Sequence, residues 1–133
     1  MNYCLTINDK EYYLSEIIFI NMEEEITSYI KEEENIKYIN INKILLEGNY
    51  NLLKKIYNRI SSYIGMTVLD TEWMVNFSRL GYRQRQIDSL SAYHYQNGNI
   101  KKANELLLEG IILSLDALND IISKEMNING KKK

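Results

Sequence analysis

The sequence contains no proline, one cysteine and one histidine among its 133 residues. Without proline, the residue that most strongly interrupts a helix, long helices are unobstructed. The lone Cys4 leaves no intrachain disulfide and gives no indication of an oxidising compartment. Cys4 and His94 together fall short of the roughly four ligands of a structural zinc site. The number of carboxylates would still allow a magnesium or calcium site, but the sequence contains no EF-hand loop. We expect neither a metal nor a cofactor.

Motifs for phosphate binding and for catalysis are also missing. The six glycines stand singly, and no segment fits a phosphate-binding loop. The N-terminus lacks the pattern of a signal peptide, and the most apolar stretch, 110–122, is short and carries Asp116 and Asp120. These absences predict a cytoplasmic protein that does not span a membrane and is not an enzyme.

The chain is otherwise ordinary for a soluble globular protein, with 45% apolar and 26% charged residues. The pattern predicts a mainly α (α+β) fold, a bundle of four to five helices with an N-terminal β-hairpin. We expect one domain over residues 1–126 and a disordered basic tail over 127–133. Within the domain we predict a β-hairpin at 2–20, an acidic helix at 22–34 and a helical core at 36–126.

Two segments rich in β-forming residues, 3–7 and 11–20, flank Asn8-Asp9-Lys10, which favours a hairpin turn. Asn21 is a plausible N-cap for the acidic helix, whose first turn holds three glutamates at the positive end of the helix dipole. The segment 36–46 fits either a strand or a helix.

Helical periodicity follows, interrupted at single glycines. Trp73, among apolar neighbours, is expected in the core. We predict a helix at 50–64 that ends at Gly65, and a second at 72–80 that is capped by Thr71 and ends at Gly81. A third helical segment runs from Tyr82 to a turn at Asn97-Gly98-Asn99, and the last helix spans 100–126.

The last of these helices is apolar over most of its circumference. Such a helix lies at the centre of a bundle or in an interface between chains. We therefore take Leu108, Ile112 and Leu115 as candidate protein-binding residues, in contact with another protein or in a homo-oligomer.

Residues 87–110 resemble a single tetratricopeptide-type helical hairpin. The residues that carry the resemblance are Ile87, Leu90 and Ser91 before the turn, Gly98 in it, and Ile100, Ala103, Leu107 and Gly110 after it. The resemblance implies a binding scaffold without chemistry of its own. A fainter copy lies 50 residues upstream, whereas repeats of this family recur about every 34 residues and need at least three copies. A generic bundle is therefore favoured over a repeat protein.

Charge is divided unevenly along the chain. Residues 1–34 hold nine acids and two bases, whereas residues 35–133 hold nine acids and 14 bases. Glu23, Glu24, Glu32 and Glu33 are candidate protein-binding residues, since an acidic surface can mimic a phosphate backbone and occupy a cationic groove. The simpler interpretation is a solvated face.

An alternative interpretation is nucleic-acid binding, because cations mixed with tyrosine can hold phosphates while the rings stack on bases. The sequence pI of about 5.5 argues against it. The candidate residues for this alternative are Arg79, Tyr82, Arg83, Arg85, Lys101 and Lys102.

His94 raises the question of a ribonuclease of the HEPN type, in which four to six residues separate an arginine from the histidine that follows it. Here eight residues separate Arg85 from His94, so the motif does not fit. We expect a packing role instead, because acid–base catalysis needs a positioned partner.

The sequence thus predicts a non-enzymatic protein–protein interaction module. Its 11 tyrosines suit an interface, because the ring is large and the hydroxyl stays hydrated. The chain is small, lacks motifs and is rich in Ile, Asn, Lys and Tyr, a composition typical of an AT-rich genome. These features together are typical of an inhibitor, immunity or anti-defence protein from a phage or mobile element.

Overall fold

A computed structural model describes the backbone of residues 3–67 and 71–131 and the side chains of residues 3–66 and 78–123. The four strands are β1 (Tyr3–Ile7), β2 (Lys10–Leu14), β3 (Ile30–Glu33) and β4 (Ile36–Asn40). The helices are α1 (Glu23–Ile26), α2 (Ile41–Leu46), α3 (Tyr50–Thr67), α4 (Thr71–Gln96) and α5 (Ile100–Lys131). Two short 3-10 turns, Glu16–Phe19 and Thr27–Tyr29, complete the described part of the chain.

The predicted N-terminal hairpin is confirmed, but its second strand is shorter than expected. Asn8 and Asp9 form the two-residue turn with φ of 51° and 66°, a conformation that these residues tolerate better than most. Strand β2 then ends at Leu14. Ser15 accepts a hydrogen bond from the Ile17 amide at 3.3 Å and caps the 3-10 turn, which takes the place of the predicted strand end.

The prediction of one acidic helix over 22–34 is wrong. Asn21 has a φ of 64°, Met22 occupies the cap position without a side-chain hydrogen bond, and helix α1 stops at Ile26. The chain then returns as a second hairpin, β3–β4, turning at Glu34 and Asn35 with positive φ. Tertiary pairing overrides helix propensity, because β3 can lie along β4 only in an extended conformation.

The sheet has the strand order β2-β1-β4-β3, with β1 and β4 parallel and both other pairs antiparallel. One face is buried: Leu5 lies opposite Tyr12 on one side and Ile39 on the other, and all three are in the core. The opposite face carries exposed side chains such as Tyr13 and Lys31. The prediction of a mainly α fold with an N-terminal β region is therefore confirmed, but the sheet has four strands where the predicted hairpin had two.

Both interpretations of residues 36–46 are partly right. Strand β4 ends at Asn40, whose side-chain oxygen accepts from the Lys43 amide at 3.0 Å and caps helix α2. Gly48, with a φ of +68°, separates α2 from α3.

Gly65 and Gly81 do not end helices. Helix α3 continues to Thr67, and α4 runs without a break from Thr71 to Gln96. A single glycine inside a helix costs only about 1 kcal/mol, and packing outweighs it here. Helix α5 likewise passes the predicted end at Met126 and reaches Lys131. The side chain of Trp73, predicted to be in the core, lies outside the described side chains.

Helix α5 packs against both α3 and α4, and the three helices share one apolar core with the sheet and α2. The Asn97-Gly98-Asn99 turn between α4 and α5 is confirmed, with Gly98 at a φ of 82°. Where the three long helices meet, Gly110 lies against Tyr57 and Ile87. A methyl group there would stand 2.9 Å from Cε1 of Tyr57 and 3.3 Å from Cγ2 of Ile87.

We expect Gly110→Ala to destabilise the protein by about 1–3 kcal/mol, because the added methyl overlaps a buried ring that has little room to move. The gain in helix propensity, about 1 kcal/mol, opposes this loss. Urea unfolding followed by circular dichroism measures the difference.

Gly81→Ala is the matched control, since among the described side chains its methyl would meet nothing closer than a guanidinium nitrogen of Arg85 at 3.9 Å. This variant should gain about 0.5–1 kcal/mol from helix propensity and a restricted unfolded chain. Stabilisation of both variants alike would contradict the close crossing at Gly110.

Candidate functional site

A concave surface lies at the end of the sheet, beside the first 3-10 turn. We call it the acidic groove; it encloses about 500 Å³. Strand register builds its floor, because Tyr3 lies beside Lys37 and Lys37 lies opposite Glu32. Its lining residues are Tyr3, Glu16, Ile17, Ile20, Glu23, Glu32, Asn35 and Lys37.

The groove combines negative charge with exposed apolar surface. Three carboxylates line it against one ammonium group, that of Lys37, whose Nζ lies 5.5 Å from the centre of the Tyr3 ring. Ile17 and Ile20 are 56% and 48% exposed. A partner that fits this groove must offer both cations and apolar side chains.

Of the four glutamates predicted to bind protein, Glu23 and Glu32 come together in the groove although eight residues separate them. Glu24 and Glu33 are exposed but are not among its lining residues. Glu33 pairs instead with Lys31 at 3.0 Å. Sequence reasoning missed Ile17 and Ile20, although Ser15 before an apolar run was a signal for a turn there.

The prediction that Leu108, Ile112 and Leu115 of α5 bind another protein is wrong in part. Leu115 is buried in the core, and Leu108 and Ile112 are half-buried against it. The apolar circumference of α5 is explained by its central position between α3 and α4. Ile100 and Leu113 are the large apolar side chains that α5 leaves exposed within the described residues.

The candidate nucleic-acid residues divide between two surfaces. Tyr82, Arg83 and Arg85 line a shallow hollow on α4 together with Gln86, Ser89 and Leu90. Arg79 is exposed on the same helix but does not line the hollow. Lys101 lines a different groove, at the start of α5, and Lys102 lies exposed beside it in the sequence. The six residues therefore do not form one patch.

The cationic character of the hollow is also reduced by an ion pair. Arg83 donates to Glu109 Oε2 at 2.7 Å and to Gln86 Oε1 at 3.2 Å. Tyr82 remains open to stacking, with 62% of its surface exposed.

His94 is half-buried, and its ring meets that of Tyr93 edge-on at 5.4 Å. Its Nδ1 has no hydrogen-bond partner within the described structure. Cys4 is fully buried, and this burial, with the Glu11 carboxylate nearby, raises the pKa of its thiol to about 11. A thiol so resistant to deprotonation is a poor nucleophile. Among the described residues no cluster of three metal-ligating side chains occurs.

A network of hydrogen bonds that the sequence did not indicate joins α3, α4 and α5. The Tyr57 hydroxyl donates to the Gln84 carbonyl at 3.0 Å, and the Gln84 amide donates to Ser61 and Ser114. Burial raises the pKa of Tyr57, and the Asp88 carboxylate adds to this shift. Burial likewise raises the pKa of Asp88, more than Lys54 lowers it.

A raised pKa in the folded state means that ionisation of Asp88 opposes folding. The loss of stability sets in as pH rises from the ordinary value of 3.8 through the raised value, and it persists above that. We therefore expect Asp88→Asn to be more stable than the wild type near about pH 7. The difference should vanish below the ordinary pKa of the carboxyl.

Urea unfolding across this pH range tests the expectation, with Asp9→Asn in the exposed β1–β2 turn as the control. A wild type more stable than Asp88→Asn at neutral pH would mean that attraction to Lys54 outweighs the burial of the carboxylate.

Comparisons of the chain with known proteins give no indication of what these surfaces bind. No model of a known family, no curated protein and no solved structure matches the chain. In the described part of the chain, none of the helices has both the length and the apolar character needed to cross a membrane.

Proposed function

We propose that the protein is a non-enzymatic interaction module that holds a cationic, amphipathic segment of another protein in its acidic groove. The observation that carries the proposal is the convergence of Glu16, Glu23 and Glu32 around the exposed Ile17 and Ile20. Carboxylates at the rim steer a cationic partner and fix its register, while isoleucine surface removed from water supplies affinity.

The chemistry of the described residues supports binding rather than turnover. Cys4 is held protonated by burial, and Nδ1 of the half-buried His94 has no hydrogen-bond partner among the described residues. A module that covers a cationic surface of its partner acts by occupying it, as an inhibitor, immunity or anti-defence protein does. We extend the proposal to that role and to an origin in a phage or mobile element.

The probe is a synthetic peptide with leucine and lysine at helical spacing, so that leucines lie on one face of the helix and lysines on the other. We expect it to bind with an affinity that falls as ionic strength rises from about 0.05 M to about 0.5 M, because salt screens the exposed charges. The same peptide with glutamate in place of lysine should not bind. Fluorescence anisotropy of a labelled peptide measures both.

Two double variants separate the groove from net charge. Glu23→Gln with Glu32→Gln removes two groove carboxylates, and we expect about three- to tenfold weaker binding, since each exposed contact is worth under about 1 kcal/mol. Glu24→Gln with Glu33→Gln removes the same charge outside the groove and should change the affinity less than about twofold. Equal losses in the two variants would contradict a defined binding site.

One observation favours nucleic-acid binding as a second candidate, namely that Tyr82 and Arg85 line the same hollow on α4. A single-stranded oligonucleotide should then bind with a steep salt dependence. Arg85→Ala should weaken binding and lower that dependence by about one unit of log affinity per log salt. Unchanged binding of the oligonucleotide by Arg85→Ala would discard this candidate.

A further inference from the structure

A second groove lies between the end of α2 and the start of α5. We call it the α2–α5 groove; it encloses about 390 Å³. Leu45, Leu46 and Gly48 form one wall, and Ile100 forms the other, with Lys101 and Glu105 beside it. Leu46 is 87% exposed and Ile100 is 43% exposed, so aliphatic surface stands open at its mouth.

Asn104 lines this groove and is only 1% exposed. Neither its Nδ2 nor its Oδ1 has a hydrogen-bond partner in the described structure. A buried amide with both ends unsatisfied is rare in folded proteins, because each unmade hydrogen bond costs about 1–3 kcal/mol. Leucine would fill a similar shape at no such cost, so the asparagine calls for an explanation.

The nearby backbone does not satisfy the amide. At the end of α2, the carbonyls of Ile44 and Leu45 accept from the amides of Asn49 and Gly48. A trapped water would need two to four polar partners, and the walls beside Asn104 are mostly aliphatic. A donor and an acceptor side by side, next to open aliphatic surface, match the N–H and C=O of one residue in an extended peptide whose side chain is apolar.

We propose that the α2–α5 groove binds an extended peptide segment of a partner protein, in which the main-chain N–H and C=O of one aliphatic residue pair with Asn104. The aliphatic side chain packs against Leu46 and Ile100. Because Asn104 is only 1% exposed, entry of the peptide requires the groove walls to move enough to uncover its amide. The site is separate from the acidic groove and does not depend on it.

The probe is N-acetyl-leucine methylamide, which offers one leucine with both main-chain groups and no charge. We expect saturable binding with a Kd on the order of 1 mM or weaker, as suits so small a ligand. Nuclear magnetic resonance should show shifts of the Asn104 side-chain amide and of Leu46 and Ile100. The analogue methylated on the leucine nitrogen lacks the N–H and should bind about tenfold more weakly.

Two variants test the two halves of the site. Leu46→Ala removes exposed aliphatic surface, so we expect weaker binding at unchanged stability. Asn104→Leu should abolish binding while leaving the unfolding temperature equal or higher, because it removes two unsatisfied buried groups. Asn119→Leu, at an exposed asparagine on the same helix, is the control and should bind as the wild type does.

Three outcomes would overturn the proposal. One is equal binding of the probe and its methylated analogue, and another is the absence of saturable shifts at the groove. The third is a lowered unfolding temperature of Asn104→Leu, which would mean that the amide is satisfied internally and holds the fold together. None of these results bears on the acidic groove, whose own peptide assay stands apart.

Discussion

The close crossing of α3, α4 and α5 at Gly110 is the constraint on which the helical layer depends. Because Gly110 has no side chain, the Tyr57 ring and Ile87 pack directly against the backbone of α5. That approach places the Tyr57 hydroxyl on the Gln84 carbonyl and Gln84 between Ser61 and Ser114. Apolar contact and hydrogen bonding thus fix the same arrangement, which leaves α5 central and its apolar surface largely covered within one chain.

Sequence patterns were reliable where a local interaction decides the structure. Asn8-Asp9 favours a tight turn whatever surrounds it, and Gly98 ends α4 because few other residues adopt its positive φ. They failed where distant partners decide. The run Glu32 to Glu34 continues a helical pattern, but in the structure Glu32 and Glu33 pair with residues of β4. No feature of the run itself indicates that a strand will form beside it. Gly65 and Gly81 were mistaken for helix ends because glycine signals a stop only weakly.

The functional surfaces follow the same division. The acidic residues of the first 34 positions are visible in the sequence as a cluster. Only the fold shows that Glu23 at the start of α1 and Glu32 in β3 line the groove, whereas their neighbours Glu24 and Glu33 do not. The apolar excess of α5 was visible too, but only packing shows that Leu115 lies inside. Asn104 gave no signal in the sequence, since an unsatisfied amide is a property of its surroundings. Composition therefore indicates what a surface is made of, and the fold selects which residues share it.

The parallel pairing of β1 with β4 has a consequence for how the protein is assembled. Each hairpin can form from neighbouring residues, on a timescale of about 1–10 μs. Joining them closes a loop of more than 30 residues, since Tyr3 pairs with Lys37, and such nonlocal contacts come later and more slowly. The floor of the acidic groove includes both of these residues. The acidic groove therefore forms only when the two hairpins dock, so a nascent chain whose synthesis has not yet reached β4 lacks this surface.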